Sequence, residues 1–157
     1  MAKRLAIASP IDEAFSIRRI VGSGVAASID RGTPTKEGSA GAVAIMVDGD
    51  LTTSQRFSGL AKTVSTDTVA AAGIVNVWLP LPGIKYVGSP KTAGACDTQA
   101  EIDALAGQRV PLDLTSSDWT VDTAAGDGAT NGAVMIGGQP EQDLIYFWVS
   151  ESCSVFE

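Results

Sequence analysis

The sequence predicts a mainly β, single-domain protein with one short α-helix and an extended N-terminal arm, on three observations. Of the 157 residues, 45% are hydrophobic and 17 are Gly. The apolar residues, mostly Ala, Val, Ile and Leu, fall in short runs cut by Gly, Pro and Asp, the pattern of strands bounded by turn formers. Helical spacing with caps is evident at one place. A chain of this length suffices for one domain and buries roughly two-thirds of its unfolded surface, so it can fold without a metal or disulfides. We divide it into an arm, residues 1–16, and a β-rich domain, residues 17–157.

Along the arm, Leu5, Ile7, Ile11 and Phe15 either pack on the domain itself or reach onto a neighbour. Phe15 to Val21 suits a strand ended by Gly22-Ser-Gly24, with Val25 to Ile29 as a continuation. Residues 31–38 read as loop from their Gly, Pro and charge. Gly41 to Val47 is a small-residue strand closed by Asp48-Gly-Asp50. Thr52 to Leu60 is polar and ambiguous, and Thr63 to Val69 is a Thr/Val strand. In the apolar run Gly73 to Pro82, Pro80 and Pro82 cannot donate to a ladder. Its C-terminal half therefore belongs at a sheet edge or outside the sheet.

Ile84 to Val87 is another short strand. Thr98 and Glu101 have the spacing of a capping box, Ile102, Leu105 and Ala106 share a face, and Gly107 fits the C′ position. A helix over about 99–106 follows, short enough to depend on packing against a sheet. Arg109 to Leu114 returns to strand, with Pro111 marking an edge, and Trp119 to Val121 follows. After a loop over 124–132, Ala133 to Ile136 and Asp143 to Val149 form a closing hairpin. The last strand is apolar on both faces, Leu144, Tyr146 and Trp148 against Ile145, Phe147 and Val149. Such a strand is covered on both sides, by the core and by a further element such as a neighbouring subunit.

The chain has no His, so the commonest acid/base group and metal ligand is missing. A structural or binding protein is expected before an enzyme, with no catalytic residue, cofactor or metal. With 18 acidic against 11 basic residues and a net charge of -7, counterion release cannot drive nucleic-acid binding, so no nucleic acid is expected. No apolar run approaches the roughly 20 residues that cross a bilayer, so no membrane partner is expected. The start to Ala8 mimics a signal peptide, but Pro10, Asp12 and Glu13 cut the apolar stretch short. A mature N-terminus made in a cytosol is the reading. Cys96 and Cys153 form no CxxC motif; two buried reduced thiols are expected, with a disulfide as the alternative.

Each remaining motif has a plainer account. Gly22-Ser-Gly-Val-Ala-Ala27 scans as a dinucleotide fingerprint, but Asp30 to Pro34 stops the helix it requires, leaving a turn or bulge. Asp48 and Asp50, or Asp122, Asp127 and Asn131, offer oxygen ligands without the spacing of a calcium loop. No nucleophile elbow is present. Trp78, Tyr86, Trp119, Tyr146, Phe147 and Trp148 are assigned to the core by default.

A resemblance enters with Pro80-Leu-Pro-Gly-Ile-Lys-Tyr-Val-Gly88 and Lys91-Thr-Ala-Gly-Ala95. It continues through Thr98-Gln-Ala-Glu-Ile-Asp-Ala-Leu-Ala-Gly-Gln-Arg-Val110, Asp118-Trp-Thr-Val-Asp122 and Asn131-Gly-Ala-Val-Met-Ile-Gly-Gly138. In texture and motif order, the stretch from Ile74 to Phe156 resembles the head decoration, or cement, proteins of tailed bacteriophages. The resemblance implies a β-barrel or β-sandwich-like domain, often a homotrimer, on the outer capsid surface of the virion after synthesis in the host bacterial cytoplasm. The implied partners are the major capsid protein and further copies of the chain, and the implied role is to stabilise capsomer junctions. Leu5, Ile7, Ile11, Phe15, Trp78 and Phe156 are the candidate capsid or subunit contacts. Deleting residues 1–14 is expected to leave the domain folded and weaken capsid binding. The alternatives are a tail or adaptor component, a carbohydrate-binding adhesion module with exposed Trp or Tyr on a flat face, and a small hydrolase with paired carboxylates.

Overall fold

The structure, a computed structural model, describes residues 5–8, 16–22, 29–38, 41–49, 51–52, 55–65, 73–81, 83–115 and 118–154. In chain order the strands are β1 (Ala6–Ile7), β2 (Ser16–Ile20), β3 (Pro34–Glu37), β4 (Val43–Ile45), β5 (Phe57–Ala61), β6 (Ile74–Trp78) and β7 (Tyr86–Gly88). Helix α1 (Gln99–Leu105) precedes β8 (Arg109–Val110), β9 (Leu112–Thr115), β10 (Asp118–Val121), β11 (Ala133–Gln139) and β12 (Leu144–Val149). An N-terminal sheet has the order β2-β6-β5-β3-β4 and a C-terminal sheet the order β1-β7-β12-β11-β8, while β9 and β10 pair with each other. The fold is mainly β, with three sheets and one α-helix among the described residues.

Among the described residues no sheet closes into a barrel, which corrects the β-barrel expectation. Among the described residues, the outermost strands of the N-terminal sheet are joined by the isolated parallel bridge Val21–Val43 rather than by a ladder, and the Gly22 N–H donates to the Val43 carbonyl at 2.9 Å. A barrel needs a continuous ladder with consistent stagger around its wall, and a single bridge between β4, only three residues long, and the residue after β2 does not supply one. The curled sheet still encloses a small core of Val21, Ile29, Val43, Ala61, Val75 and Val77.

A larger core joins the two big sheets. Phe57 and Leu60 of β5 pack in it with Tyr86, Met135, Ile145 and Phe147 of the C-terminal sheet. The Tyr86 ring lies 5.6 Å from both Phe57, edge-on, and Phe147, stacked. Strand β5, buried throughout, is the wall between the two cores. Because Thr35 pairs with Gly59 but Lys36 with Phe57, a bulge falls at Ser58. That extra residue turns Phe57 and Leu60 toward one core and Ala61 toward the other.

The Tyr86 hydroxyl is buried without a hydrogen-bond partner, and burial pushes its ionisation well above the ordinary phenol range. A desolvated hydroxyl with no partner is a cost. Tyr86→Phe keeps both ring contacts and is expected to stabilise the protein by about 1 kcal/mol in a urea melt. Destabilisation of that size instead would show that the oxygen has a structural partner.

Several expectations hold closely. Helix α1 ends at Leu105, one residue earlier than expected, with the Thr98–Glu101 capping box formed and Gly107 at a φ of 82°. Ile102 on its buried face packs onto β11 at Gly138. The closing hairpin is β11 and β12, with a register shift between Met135 and Gly137. Strand β6 ends at Trp78, leaving Pro80 outside the sheet. Cys96 and Cys153 are free and buried.

Two local expectations are corrected. Residues 34–37, expected as loop, form β3 between β4 and β5. Pro is tolerated at a first strand position; the buried Thr35 hydroxyl donates to the Gly59 carbonyl at 2.9 Å, and Glu37 meets Arg19 at 2.6 Å. The expected Thr/Val strand is not formed over 63–65, and the rest of that stretch, like the continuation over 25–28, lies outside the described residues.

Candidate functional site

The groups that offered chemistry in the sequence act as structural ties. Asp48 accepts the Leu114 N–H at 3.1 Å, and Asp127 accepts the Arg109 N–H at 2.8 Å. The Asn131 amide donates to the Arg109 carbonyl at 3.2 Å. Lys91 bridges Asp113 at 2.7 Å and Asp122 at 2.9 Å, and hydroxyls of Thr115 and Thr120 also donate to Asp113. Burial raises the Asp113 carboxyl, but Lys91 and the hydroxyls outweigh it and leave the pKa below the usual range. Among the described residues, no group of three or more His, Cys, Asp and Glu is placed to hold a metal ion.

Cys96 also lacks the setting of a nucleophile. Burial first, then the carboxylates of Asp143, Glu101 and Asp97, push its thiol up to about 11, which suppresses the thiolate at neutral pH. Asp143 receives the N–H groups of Gly94 at 2.7 Å and Cys96 at 3.0 Å, fastening the turn before α1.

Of the six candidate contacts, Leu5 is 2% exposed in the larger core, Ile7 packs against it, and half-buried Trp78 does the same with the Arg31 guanidinium 5.6 Å above its ring. Ile11, Phe15 and Phe156 lie outside the described residues. For Leu5 and Ile7, the arm packs on its own domain.

Two other surfaces stand out. The first is the outer face of the N-terminal sheet. Ile20 pairs with Ile74, and Arg18 with Asn76. The Lys62 N–H bonds to the Asn76 carbonyl at 2.7 Å, one residue beyond β5. Ile20 is 57% and Val64 55% exposed, and Ile74 is half-buried. Ile20 and Ile74 thus form an apolar pair at one end of the sheet beside the Arg18 cation, on a protein of net charge -7.

The second surface is the outer face of the C-terminal sheet. Ile145 and Phe147 of β12 point into the core, while Trp148 is 45% exposed. The register sets Trp148 beside Val134, and Val134 beside Arg109, across three strands. A groove of about 430 Å³ opens there, and Leu81, Ile84, Ser150 and Glu151 also line it. Nearby, the Lys85 ammonium lies 4.5 Å from the centre of the Tyr146 ring. The expectation that β12 is covered on both sides holds for its inner face; Trp148 on the outer face remains accessible.

No described helix is long and apolar enough to cross a membrane. The chain matches no family model, no curated protein and no solved structure.

Proposed function

We propose that this protein is a non-enzymatic structural component of a virion, binding as a homotrimer to the outer surface of an assembled icosahedral capsid and stabilising capsomer junctions. The observation that carries the reading is exposed Ile20, paired with half-buried Ile74 and flanked by Arg18, on the same half of the protein as exposed Val64. Contiguous exposed apolar surface on a folded domain marks an interaction site. The Arg18 cation suits an acidic rim on the major capsid protein and would orient the encounter. A cement needs no chemistry. By burying surface that exists only on the assembled lattice, it stabilises that lattice through mass action.

Co-sedimentation with undecorated, expanded heads tests this. The expected result is saturation at a whole-number multiple of the icosahedral asymmetric units, with no binding to dissociated capsid subunits. Ile20→Asp and Val64→Asp change exposed positions and are expected to leave the fold intact while weakening head binding about tenfold or more each. Full binding by both variants would move the contact elsewhere. Absence of head binding by the unaltered protein would remove the cement reading and direct attention to tails and adaptors.

A further inference from the structure

The groove beside Trp148 is separate from the residues assigned to capsid contact and has a different chemistry. Its lining includes the apolar residues Trp148, Val134, Leu81 and Ile84 together with Arg109, Ser150 and Glu151; the Arg109 guanidinium also donates to the Ala129 carbonyl at 3.4 Å, and the Ser150 and Ser152 hydroxyls lie 3.1 Å apart. Its volume of about 430 Å³ is within the range of small-ligand sites.

We propose that this groove is a binding subsite for a neutral saccharide, with Trp148 as the platform for a sugar ring. A pyranose has one face of C–H bonds and a rim of hydroxyls that both donate and accept. An exposed indole beside an aliphatic neighbour meets the C–H face through dispersion. Arg109 can only donate, the Glu151 carboxylate can only accept, and Ser150 can do both, which together match that rim. Trp148 and Arg109 lie two strand spacings apart, about 10 Å, a span suited to a disaccharide.

Other occupants fit less well. An acidic peptide or a phosphate would gain Arg109 but be repelled by Glu151. A wholly apolar ligand would strip water from both charged groups without replacing their hydrogen bonds. Hydrolysis is not part of the inference, because a glycosidase site needs two carboxylates and Glu151 is the only one among the described residues that line this groove.

The test uses the full chain on an array of neutral hexose and N-acetylhexosamine oligomers, followed by solution titration of the best-retained oligomer monitored by tryptophan fluorescence. Binding is expected, with Trp148→Ala weakening it about tenfold and Trp148→Tyr, which keeps a ring, losing only about threefold. Glu151→Gln, at an exposed position, is expected to weaken binding without lowering the melting temperature, which keeps the site testable if Trp148→Ala proves unstable. Retention of no oligomer would overturn the proposal, as would binding unchanged in Trp148→Ala and Glu151→Gln. Neither result would bear on head binding, which is assigned to the other sheet.

Discussion

Replacing Gly59 with Ala is expected to destabilise the protein by about 4 kcal/mol, a large share of the roughly 5–15 kcal/mol that holds a domain together. Two costs combine. Gly59 has a φ of 132°, and a Cβ there would lie 1.9 Å from the Trp78 carbonyl oxygen and 2.7 Å from Val77 Cγ1. The first obstacle is backbone of the neighbouring strand, which cannot swing aside like a side chain. Relief would separate β5 from β6 and straighten the bulge that sends Phe57 and Leu60 into one core and Ala61 into the other. Gly41→Ala is the control: φ is 74°, but nothing lies within 4 Å of the added carbon, so only the backbone term of about 1 kcal/mol is expected. Urea melts of the two variants decide the matter. Equal losses would mean that the close approach to Trp78 carries no energy.

That bulge also explains where the sequence was opaque. Helix α1 and the β11–β12 hairpin were legible because their signals are local: a capping box followed by an apolar face, and two apolar runs around a Gly-Gly-Gln-Pro turn. Strands β3 and β5 were not, because their partners are distant. Thr35 looks like a loop residue until the Gly59 carbonyl receives its hydroxyl, and Glu37 until Arg19 reaches it. Phe57-Ser-Gly-Leu-Ala61 breaks the alternation of a strand because it serves two cores with a bulge between them.

The candidate surfaces were legible only in part. Ile20 lay in a strand the sequence identified, but adjacent Arg18 and Arg19 hide which face is outward. Arg19 turns toward Glu37 and the Gly41 carbonyl, leaving Ile20 beside Ile74. Trp148 sits in a run apolar at every position, so composition assigned it to the core. Its 45% exposure follows from the described elements leaving the outer side of β12 partly open. Leu5 and Trp78, for which the sequence left both core packing and an outward contact open, pack into or against the core. A row of side chains on a sheet face is a property of register, and register between distant strands is not written in any one segment.

The arm carries the second large expectation. Leu5 packs over Gly88 so closely that a Cβ on that glycine would lie 2.7 Å from Leu5 Cδ2. Beyond it, Ala6 and Ile7 pair with Val87 and Tyr86, and the Ala8 N–H donates to the Lys85 carbonyl at 2.8 Å. Leu5→Ala is therefore expected to cost about 3 kcal/mol and lower the melting temperature by about 10 °C. Deleting residues 1–8 should cost more, since it also strips the outermost strand from β7 and exposes an unpaired edge open to association with other chains. This revises the expectation that the arm can be removed from an intact domain: a truncated protein that fails to bind capsids has lost stability as well as any contact. Ala6→Asp separates the two effects, because Ala6 is exposed and its pairing is through backbone. That variant should keep the wild-type melting temperature, so weakened head binding in it would assign the arm a contact of its own. A Leu5→Ala protein melting within 2 °C of wild type, roughly the shift from 1 kcal/mol or less, would show that the arm is dispensable to the fold and restore the expectation that it can be removed from an intact domain.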